Sequence, residues 1–143
     1  MFIGEYKHNL DAKGRLAVPA KFREALKGGA VVTRGIDNCL TLYTVVQWRK
    51  IADQLSNLPS SNPNARAFTR LMLAGAMVVD IDRAGRIIIP QYLRKFAHLS
   101  QGVVVAGLYN RIELWNEKDW QAYQKKAEEK TGDIAGKLTE WGV

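Results

Sequence analysis

Two five-residue stretches place an aspartate, a glycine and an arginine at the same spacing. They are Asp11-Ala-Lys-Gly-Arg15 and Asp82-Arg-Ala-Gly-Arg86. An aspartate can accept hydrogen bonds from N–H groups across a tight turn, and a glycine supplies the positive φ that such a turn needs. The arginine is then held at the mouth of the turn, where its planar guanidinium can bind phosphates or the edges of guanine bases. The spacing therefore predicts two turns that either stabilise the fold or bind an anion.

The structural interpretation is sufficient for four residues of these stretches, namely Asp11, Gly14, Asp82 and Gly85. The arginines are left open between an ion pair within the turn and contact with a ligand. Lys13 at the tip of the first turn adds a further cation, whereas the second turn has Ala84 at that position and Arg83 one residue earlier. The functional interpretation therefore favours the first copy.

The two stretches belong to a longer internal repeat. The residues that follow them match at an offset of 71 and, after one residue is gained, at an offset of 72, as with Trp48 and Trp120. A match over about 38 positions with a single slip indicates a tandem duplication of one structural unit.

Each unit reads as a hairpin, a short helix, a second hairpin and a longer helix. The first hairpins are predicted at Glu5–Val18 and Met77–Ile89, where strand-like segments flank the two turns. Thr44 and Asn116 are expected to cap the longer helices, and the residues beyond Lys130 are expected to form a loose tail. The pattern predicts an α+β fold, mostly β with helices.

The basic residues are concentrated toward the N-terminus. The net charge of +7 divides into +5 over residues 1–50, +3 over residues 51–100 and −1 over residues 101–143. Such a distribution indicates a polyanionic partner, most often nucleic acid, although a solvated basic surface would look the same. The single cysteine and the absence of a long apolar segment predict a cytoplasmic protein that does not enter a membrane.

The residue types that carry most enzyme chemistry are poorly placed for it. His8 and His98 lie far apart in sequence and outside any metal-ligand spacing, and Cys39 is expected to be a small buried hydrophobe. No pair of carboxylates suggests acid–base work, and the tryptophans occupy strand and helix positions that predict core. We therefore expect no catalytic residue, metal, cofactor or small-molecule substrate.

The Asp-x-x-x-Arg motif, present at Asp11–Arg15 and Asp82–Arg86, resembles the hallmark of the MraZ family. The first six residues, the segments Gly14–Arg23 and Gly85–Arg94, and the linker helix Asn62–Arg70 look like that family too. The resemblance covers residues 1 to about 125. It divides the chain into four parts, namely a SpoVT-AbrB-like repeat at 5–47, connecting helices and a linker at 48–75, a second such repeat at 76–119, and a C-terminal helix and tail at 120–143.

The resemblance implies that each half of the chain is a swapped-hairpin unit of the AbrB/SpoVT type. It also implies that the one duplicated chain forms a double-split β-barrel. It also implies a nucleoid-associated transcriptional regulator, a repressor, which assembles into ring-shaped homo-oligomers. Members bind short direct repeats of double-stranded DNA upstream of the division and cell-wall gene cluster.

On this basis Arg15 is expected to read bases, with Lys13 and Lys7 beside it in or near the major groove. Lys21 and Arg23 are expected to contact phosphates, and a DNA role for Arg86 is left open. The alternative is an oligomeric interaction scaffold whose basic face binds an acidic protein. An enzyme for an anionic metabolite is a more distant alternative, and it would require a deep pocket lined by the motif arginines.

Overall fold

The structure is a computed structural model that describes all 143 residues. It contains eight β-strands, which are β1 (Phe2–Asn9), β2 (Arg15–Ala17), β3 (Ala30–Arg34), β4 (Leu40–Thr44), β5 (Met77–Val79), β6 (Arg86–Ile88), β7 (Gly102–Tyr109) and β8 (Ile112–Asn116). It also contains six α-helices, which are α1 (Ala20–Arg23), α2 (Val45–Ser56), α3 (Pro63–Thr69), α4 (Gln91–Phe96), α5 (Glu117–Glu129) and α6 (Thr131–Lys137). The fold is thus α+β, and none of its helices is long and apolar enough to cross a membrane.

Six strands form one antiparallel sheet in the order β1-β7-β8-β4-β3-β5, and β2 pairs with β6 in a separate two-stranded ribbon. The central pair, β4 and β8, joins Leu40 to Leu114 and Leu42 to Ile112. At the offset of 72, Leu40 is equivalent to Ile112 and Leu42 is equivalent to Leu114. Each residue thus pairs with the equivalent of the other, so a pseudo-twofold axis passes between the two strands. The ribbon and the large sheet enclose one core cluster of 19 buried residues.

The prediction of hairpins at Glu5–Val18 and Met77–Ile89 is wrong in its strand pairing. All of β1 pairs with β7, from Phe2 with Tyr109 to Asn9 with Gly102, and β5 pairs with β3. The first and second strands are connected only by an isolated bridge between Leu10, directly after β1, and Leu16 in β2. Because the strands after the turns enter the separate ribbon, each repeat completes the sheet of the other. The second hairpins, β3–β4 and β7–β8, are formed as predicted.

The helix ends follow the sequence closely. The side chain of Thr44 accepts a hydrogen bond from the N–H of Gln47 at 3.1 Å, and that of Asn116 accepts one from Asp119 at 3.0 Å. These are the caps that the sequence predicts for α2 and α5. The residues beyond Lys130, expected to form a loose tail, are helical in α6 and in a 3₁₀ turn at Thr139–Trp141.

The tryptophans and the cysteine that the sequence analysis assigned to the core pack on the outer face of the large sheet, away from the main core cluster. Trp115 is buried and packs against Trp120, and Trp48 packs against the ring of Tyr43. Cys39 is buried as well, and burial raises the pKa of its thiol to about 12. The thiol is therefore a poor nucleophile near neutral pH, as its apolar surroundings in the sequence indicate.

Candidate nucleic-acid interface

The ribbon of β2 and β6 brings the two arginines of the repeated motif to one surface. Arg15 pairs with Ile88, Leu16 with Ile87, and Ala17 with Arg86. Leu16 and Ile87 point into the core and are each 1% exposed. Because side chains alternate between the faces of a ribbon, Arg15 and Arg86 share the outward face, diagonally opposed at about 7–8 Å. We call this outward surface the ribbon face.

The first turn precedes β2 and is closed by the carboxylate of Asp11. One oxygen accepts hydrogen bonds from the N–H groups of Lys13 and Arg15, both at 2.9 Å. The other oxygen accepts from Nε of Arg15 at 2.6 Å. The N–H of Arg15 is the main cause that lowers the pKa of Asp11, so the carboxylate is ionised at neutral pH. Asp11 thus fixes the base of the Arg15 guanidinium and leaves its terminal amino groups for a ligand.

The second turn precedes β6 and repeats this geometry. Asp82 accepts from the N–H groups of Ala84 and Arg86 at 2.9 Å and from Nε of Arg86 at 3.0 Å. The N–H of Arg86 is again the main cause that lowers the pKa of the aspartate. Each turn therefore presents an arginine whose orientation is set by its own aspartate.

Each turn is also packed against an arginine of the other repeat. Gly14 has a φ of +81°, and a methyl group there would lie 2.9 Å from Cζ of Arg94. Gly85 has a φ of +79°, and a methyl group there would collide with the guanidinium of Arg23. The two glycines are needed both for the backbone conformation and for this close approach.

Backbone and side-chain hydrogen bonds join these turns to the strands around them. The N–H of Val18 donates to the carbonyl of Gly85, and that of Ile89 donates to Gly14, both at 2.8 Å. The Nε atoms of Arg23 and Arg94 donate to the carbonyls of Val18 and Ile89, both at 2.9 Å. The two turns and the ribbon therefore form one unit that neither repeat makes by itself.

The remaining residues predicted to bind DNA lie in different places. Lys13 is exposed at the tip of the first turn, and Lys21 is exposed on α1. Lys7 lies on β1 and pairs with Glu117 on α5 at 3.1 Å, so this ammonium already has a partner within the chain. Arg23, which is expected to contact a phosphate, lies beside the second turn, which belongs to the other repeat.

Sequence reasoning missed the contribution of Arg94 to this unit. The signal was present, because Arg23 and Arg94 occupy equivalent positions at the offset of 71. Their contact with the opposite turn depends on the exchange of strands between the repeats, and the hairpin prediction concealed that exchange.

One cavity of the structure lies apart from the ribbon face. A cavity of about 470 Å³ opens beside the outer face of the large sheet, where Arg34, Tyr43 and Met72 are among its lining residues. Neither Arg15 nor Arg86 lines it. This cavity is therefore not the deep pocket of motif arginines that an enzyme for an anionic metabolite would need.

Comparison with known proteins identifies close relatives along the whole chain. The family model described as "MraZ protein, putative antitoxin-like" matches twice, at residues 1–71 and 72–138. Proteins described as "Transcriptional regulator MraZ" from Halothermothrix orenii and Pediococcus pentosaceus are each 47% identical over 143 residues, covering 100% of both chains. One of the same description from Thermomicrobium roseum is 45% identical over 138 residues, covering 96% of this chain and 97% of the relative. The two matches begin 71 residues apart, which is the offset of the internal repeat.

Proposed function

We propose, from the premise that the chain belongs to the MraZ family, that it regulates transcription by binding double-stranded DNA through the ribbon face. The observation that carries the proposal is the pairing of Arg15 and Arg86 on one outward surface, each oriented by its own aspartate. An arginine with a fixed Nε and free terminal amino groups is prepared for bidentate contact with a guanine edge or a phosphate. The names of the relatives agree with this assignment.

Arg15 carries the base readout in this proposal. The first turn projects Lys13 next to it, and a two-stranded ribbon with its turns is a shape that the major groove admits. Lys21 and Arg23 supply phosphate contacts that fix the register, since such contacts position a protein without reading sequence. Lys7 contacts the DNA at the edge of this surface, and to do so its ammonium must leave Glu117.

Assembly supplies the affinity that a single ribbon face lacks. A ring-shaped homo-oligomer presents several identical faces, so neighbouring subunits engage direct repeats spaced by about one helical turn, roughly 10 bp. Tethering raises the apparent affinity without a new contact. Occupation of a promoter would then repress transcription sterically, and the family resemblance points to the division and cell-wall gene cluster as the target.

The test compares DNA binding by the wild type, Arg15→Ala and the control Arg49→Ala. Arg49 is an exposed residue of α2, so the control removes the same charge from another surface. In fluorescence anisotropy with a duplex carrying the candidate repeats, Arg15→Ala should lose sequence-specific binding while the control retains it. Equal specific binding by all three proteins would remove Arg15 from the readout.

Two further readouts separate the proposal from its rivals. Displacement of counterions from about 4–6 phosphates predicts a log–log salt slope steeper than roughly −3.5, whereas a protein-interaction scaffold should bind DNA weakly and without sequence preference. For the assembly, a duplex with two repeats should bind more tightly than one with a single repeat. That advantage should fall when about 5 bp are inserted between the repeats, because the second site then faces away.

A further inference from the structure

A small basic cavity lies beside the second turn and is built from both repeats. Its volume is about 300 Å³, and its lining residues are Arg23, Lys27, Ile81, Asp82, Arg83 and Gly85. Arg23 ends α1 of the first repeat, and Lys27 directly follows the 3₁₀ turn Glu24–Leu26. Arg83 and Gly85 come from the second turn. Three cations of different origin thus converge on one concave surface.

Two carboxylates near the three cations are already engaged, and a third, that of Asp80, does not line the cavity. Asp82 is held by two backbone N–H groups and by Arg86, which neutralises it. Glu24 pairs with Lys27 at 2.8 Å, but their side chains are 82% and 72% exposed, so the pair is weak and easily exchanged. Arg23 uses only Nε within the chain, in its bond to the carbonyl of Val18. The terminal amino groups of Arg23 and the side chain of Arg83 are therefore available to an anion.

The first turn lacks this arrangement. At the offset of 71, the position of Arg83 corresponds to Ala12 and that of Lys27 to His98. The ring of His98 lies 3.3 Å from the carboxylate of Asp119 on α5. Only Arg94, the counterpart of Arg23, remains beside the first turn. The convergence of three cations is therefore specific to the second turn.

We propose that the cavity lined by Arg23, Lys27 and Arg83 binds a backbone phosphate of double-stranded DNA. A phosphodiester carries one negative charge, and two guanidinium groups and an ammonium match its oxygens. The cavity adjoins the turn that holds Arg86, so it lies at the end of the ribbon face, where the backbone of a duplex bound to that face would pass. This site rests on the proposed function and extends it, because it makes the second turn a phosphate contact.

The test makes the second turn resemble the first. Arg83→Ala introduces the residue found at position 12, and Lys27→His introduces the residue found at position 98. Both positions are exposed, so the double variant should fold. Lys137→Ala and Arg49→Ala, combined, provide a control that removes two charges from other surfaces. Anisotropy at several salt concentrations should show a log–log slope lower by about 1 in the double variant and unchanged in the control.

A duplex with a neutral methylphosphonate at one backbone position after another locates the contact. The wild type should lose affinity at the phosphate that occupies the cavity, and the Arg83→Ala, Lys27→His variant should be insensitive there. The preference of the variant for the repeat over a scrambled duplex should be preserved, because a phosphate contact carries no sequence information.

The failures of the two proposals are distinguishable. Arg15-dependent specific binding with an unchanged salt slope and an unchanged methylphosphonate profile in the double variant would overturn the cavity site and leave the proposed function standing. Absence of DNA binding by the wild type would overturn both. Titration with inorganic phosphate at constant ionic strength should show no saturable binding at the cavity. Saturable occupation of the cavity by free phosphate without effect on DNA binding would overturn the assignment to DNA.

Discussion

The first and second turns have the same hydrogen bonds and different surroundings. In both, an aspartate binds two backbone N–H groups and the Nε of an arginine. The first turn adds Lys13 at its tip, whereas the second adds Arg83 and receives Lys27 from the other repeat. Since the internal geometry is shared, any functional difference between the turns must come from these cations.

This difference shows how a strand-exchanged duplication can specialise. The residues that shape each turn belong to its own repeat, but the helix residues that surround it belong to the other. A substitution in the first repeat, such as one at Lys27, therefore alters the surface of the second turn. The net charge of a repeat, read along the sequence, consequently does not give the charge around its own motif.

Alanine at the motif glycines should have the largest effect on folding. Gly14→Ala and Gly85→Ala place a side chain at a φ near +80° and displace an arginine, so each should lower the free energy of unfolding by about 1–3 kcal/mol. Gly14→Ala should be the more severe, because its methyl group would also lie 3.0 Å from the backbone carbonyl oxygen of Ile89. Urea unfolding measures the difference. Gly28→Ala, which has open space around it, is the control, and a Gly14→Ala protein as stable as this control would contradict the argument.

Alanine substitutions of the two motif arginines should have different effects on the preference for the repeat sequence over other DNA. Arg15→Ala should reduce the preference for the repeat over a scrambled duplex by about 1–3 kcal/mol, as expected for loss of a bidentate base contact. Arg86→Ala should weaken both complexes by similar factors, since it lies next to the proposed phosphate site. Competition titrations with the two duplexes give both values. An equal loss of preference in the two variants would mean that both turns read bases.

Exchange of the tip residues should move a phosphate contact from one turn to the other. Lys13→Ala should reduce the log–log salt slope by about 0.9, and Ala84→Lys should increase it by a similar amount. The double variant should then have the wild-type slope with an altered methylphosphonate profile. If Ala84→Lys leaves the slope unchanged, the tip of the second turn does not face the DNA backbone.

Asp11 and Asp82 should contribute to the stability of the protein with the same pH dependence, and this is the smallest of the predicted effects. Both carboxyl groups have a pKa below the ordinary value of 3.8 in the folded protein. Their contribution to stability is therefore complete above that value and is lost as the pH falls through the lowered folded values. Carboxyl carbon shifts in NMR report each titration directly, with Asp11→Asn and Asp82→Asn for assignment. Titration of only one aspartate below its ordinary value would show that the turns are not equivalent in solution.

Much of the local structure could be predicted from the sequence. The repeated Asp-x-x-Gly-Arg spacing specified the turns, and Thr44 and Asn116 specified two helix caps, because a few neighbouring residues determine such features. The second hairpins followed for the same reason. The prediction of a loose C-terminal tail was wrong. Gly132 and Gly136 lower the helix propensity of this segment, but Asp133 in the first turn and Lys137 in the last turn of α6 stabilise the helix through its dipole.

The pairing of strands could not be predicted from such local signals, and only the resemblance to a family with swapped-hairpin units implied an exchange of strands. Alternation of polar and apolar residues indicates a strand, but it does not identify the partner, and a duplicated chain offers two equivalent partners. The hairpin interpretation therefore did not indicate that Arg23 and Arg94 each lie beside the turn of the opposite repeat. It gave no sign of the cavity beside Gly85 either. Local signals thus gave the residues of the ribbon face, and tertiary pairing decided which cations surround each turn.

The exchange of strands has a consequence for synthesis of the chain. The strand at Phe2–Asn9 leaves the ribosome before its partner at Gly102–Tyr109, which is made about 100 residues later. At about 5–20 residues per second, this strand waits roughly 5–20 s with an unpaired edge and an uncovered Phe2. The ribbon also waits, since Arg15–Ala17 pairs only with Arg86–Ile88. The first repeat can therefore complete its sheet and its ribbon only when the second repeat emerges.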